Sequence, residues 1–153
     1  MEDEEGRNRV LDRVEHVARS AFGSLVERPE PGVIVVKTTG APYPVIINVS
    51  GWISRPERSI LTLRIAVALR MEWTSGLSDF LLREHADFPF GRFVRTQQEE
   101  LWLGYDIVAC DCTEAQLAAA VQVLADTSVN TLLVLTRTGA LDLLGGDSDP
   151  SQV

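Results

Sequence analysis

Residues 59 to 73 read SILTLRIAVALRMEW. Leu61, Leu63, Ile65, Val67, Leu69, Met71 and Trp73 fall on one set of alternate positions. Ile60, Thr62, Arg64, Ala66, Ala68, Arg70 and Glu72 fall on the other. A period of two over this length predicts one long strand with a single buried face. A strand buried on one side only needs a sheet around it and helices against its apolar face. The flanking sequence supplies both.

Upstream, YPVIINVSGW (43–52) and VIVVKTT (33–39) are rich in β-branched residues and read as two more strands. GAP marks the turn between them, and SRPER (54–58) reads as the loop into the long strand. Three strands with short links predict an antiparallel meander. Before them, Val10, Leu11, Val14, Val17, Ala18, Ala21, Phe22 and Leu25 recur at helical spacing, with Asp12, Arg13, Glu15 and Arg19 outside the stripe. This helix is expected to end near Gly23, with ERPEPG (27–32) as a loop.

Downstream, TSG breaks the alternation. Leu77, Phe80, Leu81, His85 and Phe88 predict a second helix with Ser78 as its N-cap and Pro89 as its stop. FGRFVRT (90–96) and LWLGYDIVA (101–109) read as strands joined by QQEE. Phe93 takes one face of its strand, opposite Arg92, Phe90 and Val94. Thr113-Glu114-Ala115-Gln116 fits a capping box. The last helix is expected to run from there to about Arg137. The predicted order is α-β-β-β-α-β-β-α, an α+β fold with an antiparallel five-stranded sheet. Residues 9–140 form the single domain, between a flexible N-terminus (1–8) and a flexible tail (141–153).

The chain has 153 residues, 45% hydrophobic and 24% charged, which suits one globular domain with an ordinary core. Its net charge is −8, and no basic run exists. Duplex binding needs clustered Lys and Arg, so nucleic acid is not an expected partner. The start, MEDEEGRNR, is acidic where a secretory signal is basic and then apolar, and no run of about 18 apolar residues stands out as a membrane span. The expected location is the cytoplasm, without membrane insertion.

No nucleotide-binding glycine motif and no nucleophile elbow occurs. His16 and His85 fall on different helices. Cys110 and Cys112 are spaced C-x-C, not C-x-x-C, and read as reduced thiols near a strand end. Asp106, Asp111 and Glu114 lie near them without a metal-ligand spacing. Glu99 and Glu100 sit at a hairpin tip. No catalytic residue, metal or cofactor is therefore assigned. Binding has more support. Arg64 and Arg70 lie on the non-core face of the long strand among small Ala66 and Ala68. If Leu101 and Leu103 face the core, Trp102 points outward. Trp52 and Trp73 read equally as core or as contacts, and aromatic residues are enriched at interfaces. The residues expected to touch a partner are Trp52, Arg64, Arg70, Phe93 and Trp102.

The segment from Leu77 to Thr127 resembles the second half of the YbjN-like proteins, whose fold is similar to that of type III secretion chaperones. The resemblance lies in the helix Leu77–Asp87, the aromatic strand Phe88–Val94, the alternating strand Leu101–Asp106 and the helix opening Thr113–Leu117. It implies a non-enzymatic, homodimeric protein that holds peptide segments or partner proteins, and it transfers no catalytic residue. Two other readings stay open, an obligate subunit of a larger complex and a small-molecule-binding domain with its cleft between sheet and last helix.

Overall fold

The computed structural model describes residues 2–52, 55–87 and 91–137. Helix α1 spans Glu2–Phe22 and begins ahead of its apolar stripe, within the stretch expected to be flexible. Leu11, Val14 and Ala18 are buried, and Val10, Val17 and Phe22 pack beside them. Gly23 ends the helix with φ of +58°, a left-handed conformation that favours a residue without Cβ.

Six strands follow in one antiparallel sheet: β1 Val26–Glu30, β2 Val33–Val36, β3 Val45–Trp52, β4 Arg55–Ala68, β5 Arg92–Arg95 and β6 Leu101–Val108. Their spatial order is β1-β2-β3-β4-β6-β5. The α+β class is as expected, but the sheet has six strands rather than five. The additional strand is β1, formed by residues expected to be a loop. Pro29 has no N–H to donate, which argues against a central strand. β1 is the sheet edge, and its pairing with β2 shifts between Glu27 and Glu30, the interval that holds Pro29. Side chains hold it from the other side. Arg19 donates to the Val26 carbonyl at 3.0 Å, and Arg28 pairs with Asp12 and Glu15 of α1.

β4 also departs from its expected form. It starts at Arg55, inside the stretch read as loop, and stops at Ala68. Its alternation holds as far as Ile65. Ala66 then pairs with Trp102 and Ala68 with Leu101, so one extra residue is accommodated between them. This bulge reverses the facing. Ala68 is buried on the core side, while Leu69 is 39% exposed. Arg70 lies in a bend beyond the strand and not on the sheet face.

Helix α2 runs Ser75–Asp87. Its cap is Thr74 rather than Ser78, because the Leu77 N–H donates to Thr74 Oγ1 at 3.1 Å. The helix carries the chain from β4 to β5, and the β5–β6 hairpin then returns β6 to the place beside β4. Helix α3, Glu114–Arg137, opens on the expected reciprocal capping box. Gln116 N–H donates to Thr113 Oγ1 at 3.2 Å and Thr113 N–H to Gln116 Oε1 at 3.1 Å. By length and composition α3 could cross a membrane, which corrects the expectation that no such segment exists. In the fold, its Leu117, Val121, Leu124, Ala125 and Leu135 are buried in the core.

The core lies between the helices and one sheet face. Ile34, Val36, Val45, Ile47, Leu61, Leu63, Ile65, Leu101 and Leu103 point into it, each 0% exposed. The expected tail at 141–153 and the reading of Phe88, Pro89 and Phe90 lie outside the described residues.

Candidate functional site

The strand register places six residues in one row across the sheet face opposite the core. They are Glu27, Val35, Ile46, Arg64, Gly104 and Arg92, one from each strand. A neighbouring row holds Ala66, Trp102 and Val94, and another holds Val33, Asn48, Thr62 and Asp106. No helix packs on this face among the described residues. The face is half apolar, and Val33, Val35, Ile46, Val94 and Trp102 are each only partly buried.

Trp102 is therefore turned away from Leu101 and Leu103, as the alternation predicts. Its indole Nε1–H donates to Glu100 Oε2 at 2.7 Å. Thr96 Oγ1 reaches the same carboxylate at 3.4 Å and also accepts the Glu100 N–H at 3.2 Å. Glu99 takes the left-handed position of the turn, with φ of +62°. The hairpin tip thus fixes Glu100, and Glu100 fixes the indole. Ile46, Arg64, Val94, Thr96, Glu100 and Trp102 line a cup of about 250 Å³.

Lys37, Arg64 and Arg92 are cations of this face. Lys37 pairs with Glu27 at 2.7 Å. Arg92 pairs with Asp106 through two contacts, at 2.7 and 3.3 Å. Arg64 is exposed and has no ion pair among the described residues. Nearby, the buried Asn48 Oδ1 has no hydrogen-bond partner. The small residues Ala66 and Ala68 do not open a gap beside Arg64. Ala66 is 4% exposed, and Ala68 faces the core.

Of the residues expected to contact a partner, the structure brings together Arg64 and Trp102. Phe93 pairs with Leu103 and so faces the helices. It lies against His85 of α2, with ring centroids 6.3 Å apart, and its N–H donates to His85 Nδ1 at 3.3 Å. That second cavity, about 360 Å³, is lined by Trp73, Leu82, Phe93 and Arg95 among others. Arg95 stacks over the Trp73 ring at 4.7 Å. Trp52 closes β3, and its side chain lies outside the described residues. Ile46, Val94, Thr96 and Glu100 were not expected to be contact residues, and Glu100 was read as part of a hairpin tip. Register sets Ile46 beside Arg64 and Val94 beside Trp102, whereas Glu100 is two residues before Trp102 and Thr96 faces Glu100 across the hairpin.

A third cavity, about 220 Å³, lies between β6 and α3 and is lined by Tyr105, Ile107, Gln116, Ala119, Val123 and Leu124. It occupies the cleft expected for a small ligand. Among the described residues no three His, Cys, Asp or Glu side chains converge as metal ligands. Neither cysteine is in a disulfide. Burial pushes the Cys112 thiol above its ordinary pKa, and Arg13 partly opposes this.

No protein-family model matches the chain, and no curated protein matches it in sequence. Solved structures do share its fold. The Yersinia pestis type III secretion chaperone SycH, solved with a stable fragment of YscM2, is similar with a TM-score of 0.57 and 19% identity, over 81% of this chain and 98% of that one. A chain of the heterodimeric ExoU–SpcU complex from the type III secretion system of Pseudomonas aeruginosa is similar with a TM-score of 0.57 and 10% identity, over 79% of this chain and 96% of that one. At these identities the likeness establishes the fold.

Proposed function

We propose that this chain is a non-enzymatic protein- or peptide-binding module of the secretion-chaperone type, working as a cytoplasmic homodimer. The observation that carries the reading is the sheet face on which no helix packs among the described residues, with Trp102 and Arg64 at one cup. A sheet face that keeps a tethered indole, three valines and an isoleucine partly open to water gains by covering them. The fold supports the same reading, because SycH was solved with a protein fragment and the ExoU–SpcU complex is a heterodimer. The contact residues on this face are Trp102 and Arg64, with Ile46 and Val94 beside them. Phe93 belongs to a separate patch under α2, Arg70 follows the end of β4, and Trp52 is the last residue of β3.

The cavity between β6 and α3 favours a small-molecule reading less well. Its volume of about 220 Å³ falls below the roughly 300–1,000 Å³ of ordinary ligand pockets.

The test is a pull-down with the tagged full chain and with Trp102→Ala, Arg64→Glu as control, alongside light scattering of the purified protein. One stoichiometric protein lost with the variant, and a dimeric mass, are the expected results. Equal capture by both proteins would overturn the assigned surface, and a monomer would overturn the dimer.

A further inference from the structure

Of the cations at the cup and its row, Arg64 has no counter-charge among the described residues, and that asymmetry bears on the chemistry the cup would take. Lys37 and Arg92 each have a carboxylate on the same face, Glu27 and Asp106. Arg64 stands in the same row, one strand from Ile46 on one side and one from Gly104 on the other, and has none among the described residues. Glu100 shares its cup, but that carboxylate accepts the Trp102 and Thr96 donors and forms no ion pair with Arg64. Gly104, beside Arg64, is covered by the Arg92 side chain, whose charge is already met by Asp106.

We infer that the cup takes an extended segment of a partner protein in which a carboxylate pairs with Arg64 and an adjacent large apolar side chain lies against Trp102, Val94 and Ile46. The inference rests on the protein-binding reading above and adds the class of segment. A planar guanidinium pairs with a carboxylate through two parallel N–H···O bonds, and apolar walls beside it exclude water and strengthen the pair. The cup reaches from β3 to β5, three strand spacings or about 14 Å. Four or five extended residues cover that distance. Among the described residues, the carboxylates Glu27, Asp106 and Glu100 on this face already have donors, and Glu30, paired with Val33 at the β1 edge, is the one a second copy meeting this face could offer to Arg64.

The experiment pans a phage-displayed library of random 12-residue peptides on the immobilised full chain. Arg64→Met, Arg64→Glu and Trp102→Ala are panned in parallel, after circular dichroism shows that each is folded. The expected result is enrichment of peptides with Asp or Glu next to Leu, Ile, Phe or Trp. Their affinity should fall at least about tenfold on Arg64→Met, and Arg64→Glu should enrich Lys or Arg at that position. Peptides that need Trp102 but show no acidic preference would overturn the inference and leave the surface standing. Peptides indifferent to both Arg64→Met and Trp102→Ala, or no enrichment at all, would overturn the inference and the surface together. A dimer that dissociates on Arg64→Glu would assign the face to a second copy and overturn it as well.

Discussion

Arg92 lies across Gly104 to reach Asp106, with Nη1 2.7 Å from one carboxylate oxygen and Nη2 3.3 Å from the other. The glycine makes the crossing possible without being crowded. A Cβ built on Gly104 would sit 3.5 Å from Arg92 Cζ, an ordinary contact. Gly104→Ala should therefore be neutral, or stabilising by up to about 1 kcal/mol through the less flexible unfolded chain. Gly104→Leu should displace the guanidinium. Urea unfolding of both variants checks this, and a large loss for alanine would contradict the geometry.

The capping box at α3 predicts a second stability effect. Thr113→Ala removes the acceptor for the Gln116 N–H and should cost about 1 kcal/mol. Gln116→Ala removes the reciprocal bond. Because the two bonds form one ring, the double variant should lose less than the sum of the singles. A double-mutant cycle in urea measures the coupling, and strict additivity would mean the ring is not formed.

Arg28 should control the edge strand. It touches Asp12 and Glu15 of α1 and donates to the Pro31 carbonyl at 3.1 Å. The hydrogen bond to Asp12 is the main reason its pKa is raised, so the charged form is the one held. Arg28→Ala should cost about 1 kcal/mol and loosen β1 before the rest of the sheet. Hydrogen exchange should accelerate at the amides paired between β1 and β2 and stay unchanged at Leu63 and Leu103. Uniform acceleration would show that β1 is not a separate unit.

The two cysteines should react differently. Cys110 is exposed, while Cys112 is partly buried with its thiol pKa pushed up by desolvation. At pH 8 iodoacetamide should modify Cys110 first, since the thiolate is the nucleophile. A raised thiol pKa in the folded state stabilises the fold below the ordinary thiol value. That contribution is lost as pH rises through the raised one. Alkaline loss of stability should therefore be smaller in Cys112→Ala. Equal alkylation rates at the two sites would contradict the burial of Cys112.

Much of this architecture was legible from local pattern. The stripe of α1, the capping box of α3 and its course to Arg137, and the outward turn of Trp102 follow from periods of 3.6 and two and from side-chain capping. Each depends on residues within a few positions of one another. β1 was not legible, because Pro29 and Pro31 signal a loop. Only the partner strand and the α1 carboxylates, 13 to 16 residues away, make an edge strand of it. The bulge between Ala66 and Ala68 was equally hidden. The sequence alternates through it, and the register against Trp102 and Leu101 reverses the facing.

The sequence by itself determined the fold class, the three helices, which faces of β5 and β6 point inward, and the lack of any known catalytic motif. These follow from hydrophobic period and short-range hydrogen bonding, which act along the chain. Tertiary structure alone decided that Ile46, Arg64, Val94, Glu100 and Trp102 share one cup, that Phe93 belongs to another, and that Arg64 has no ion pair among the described residues. Strand pairing across the sheet sets those neighbours. Antiparallel register joins residues up to several dozen positions apart, and no local pattern records which of them will meet.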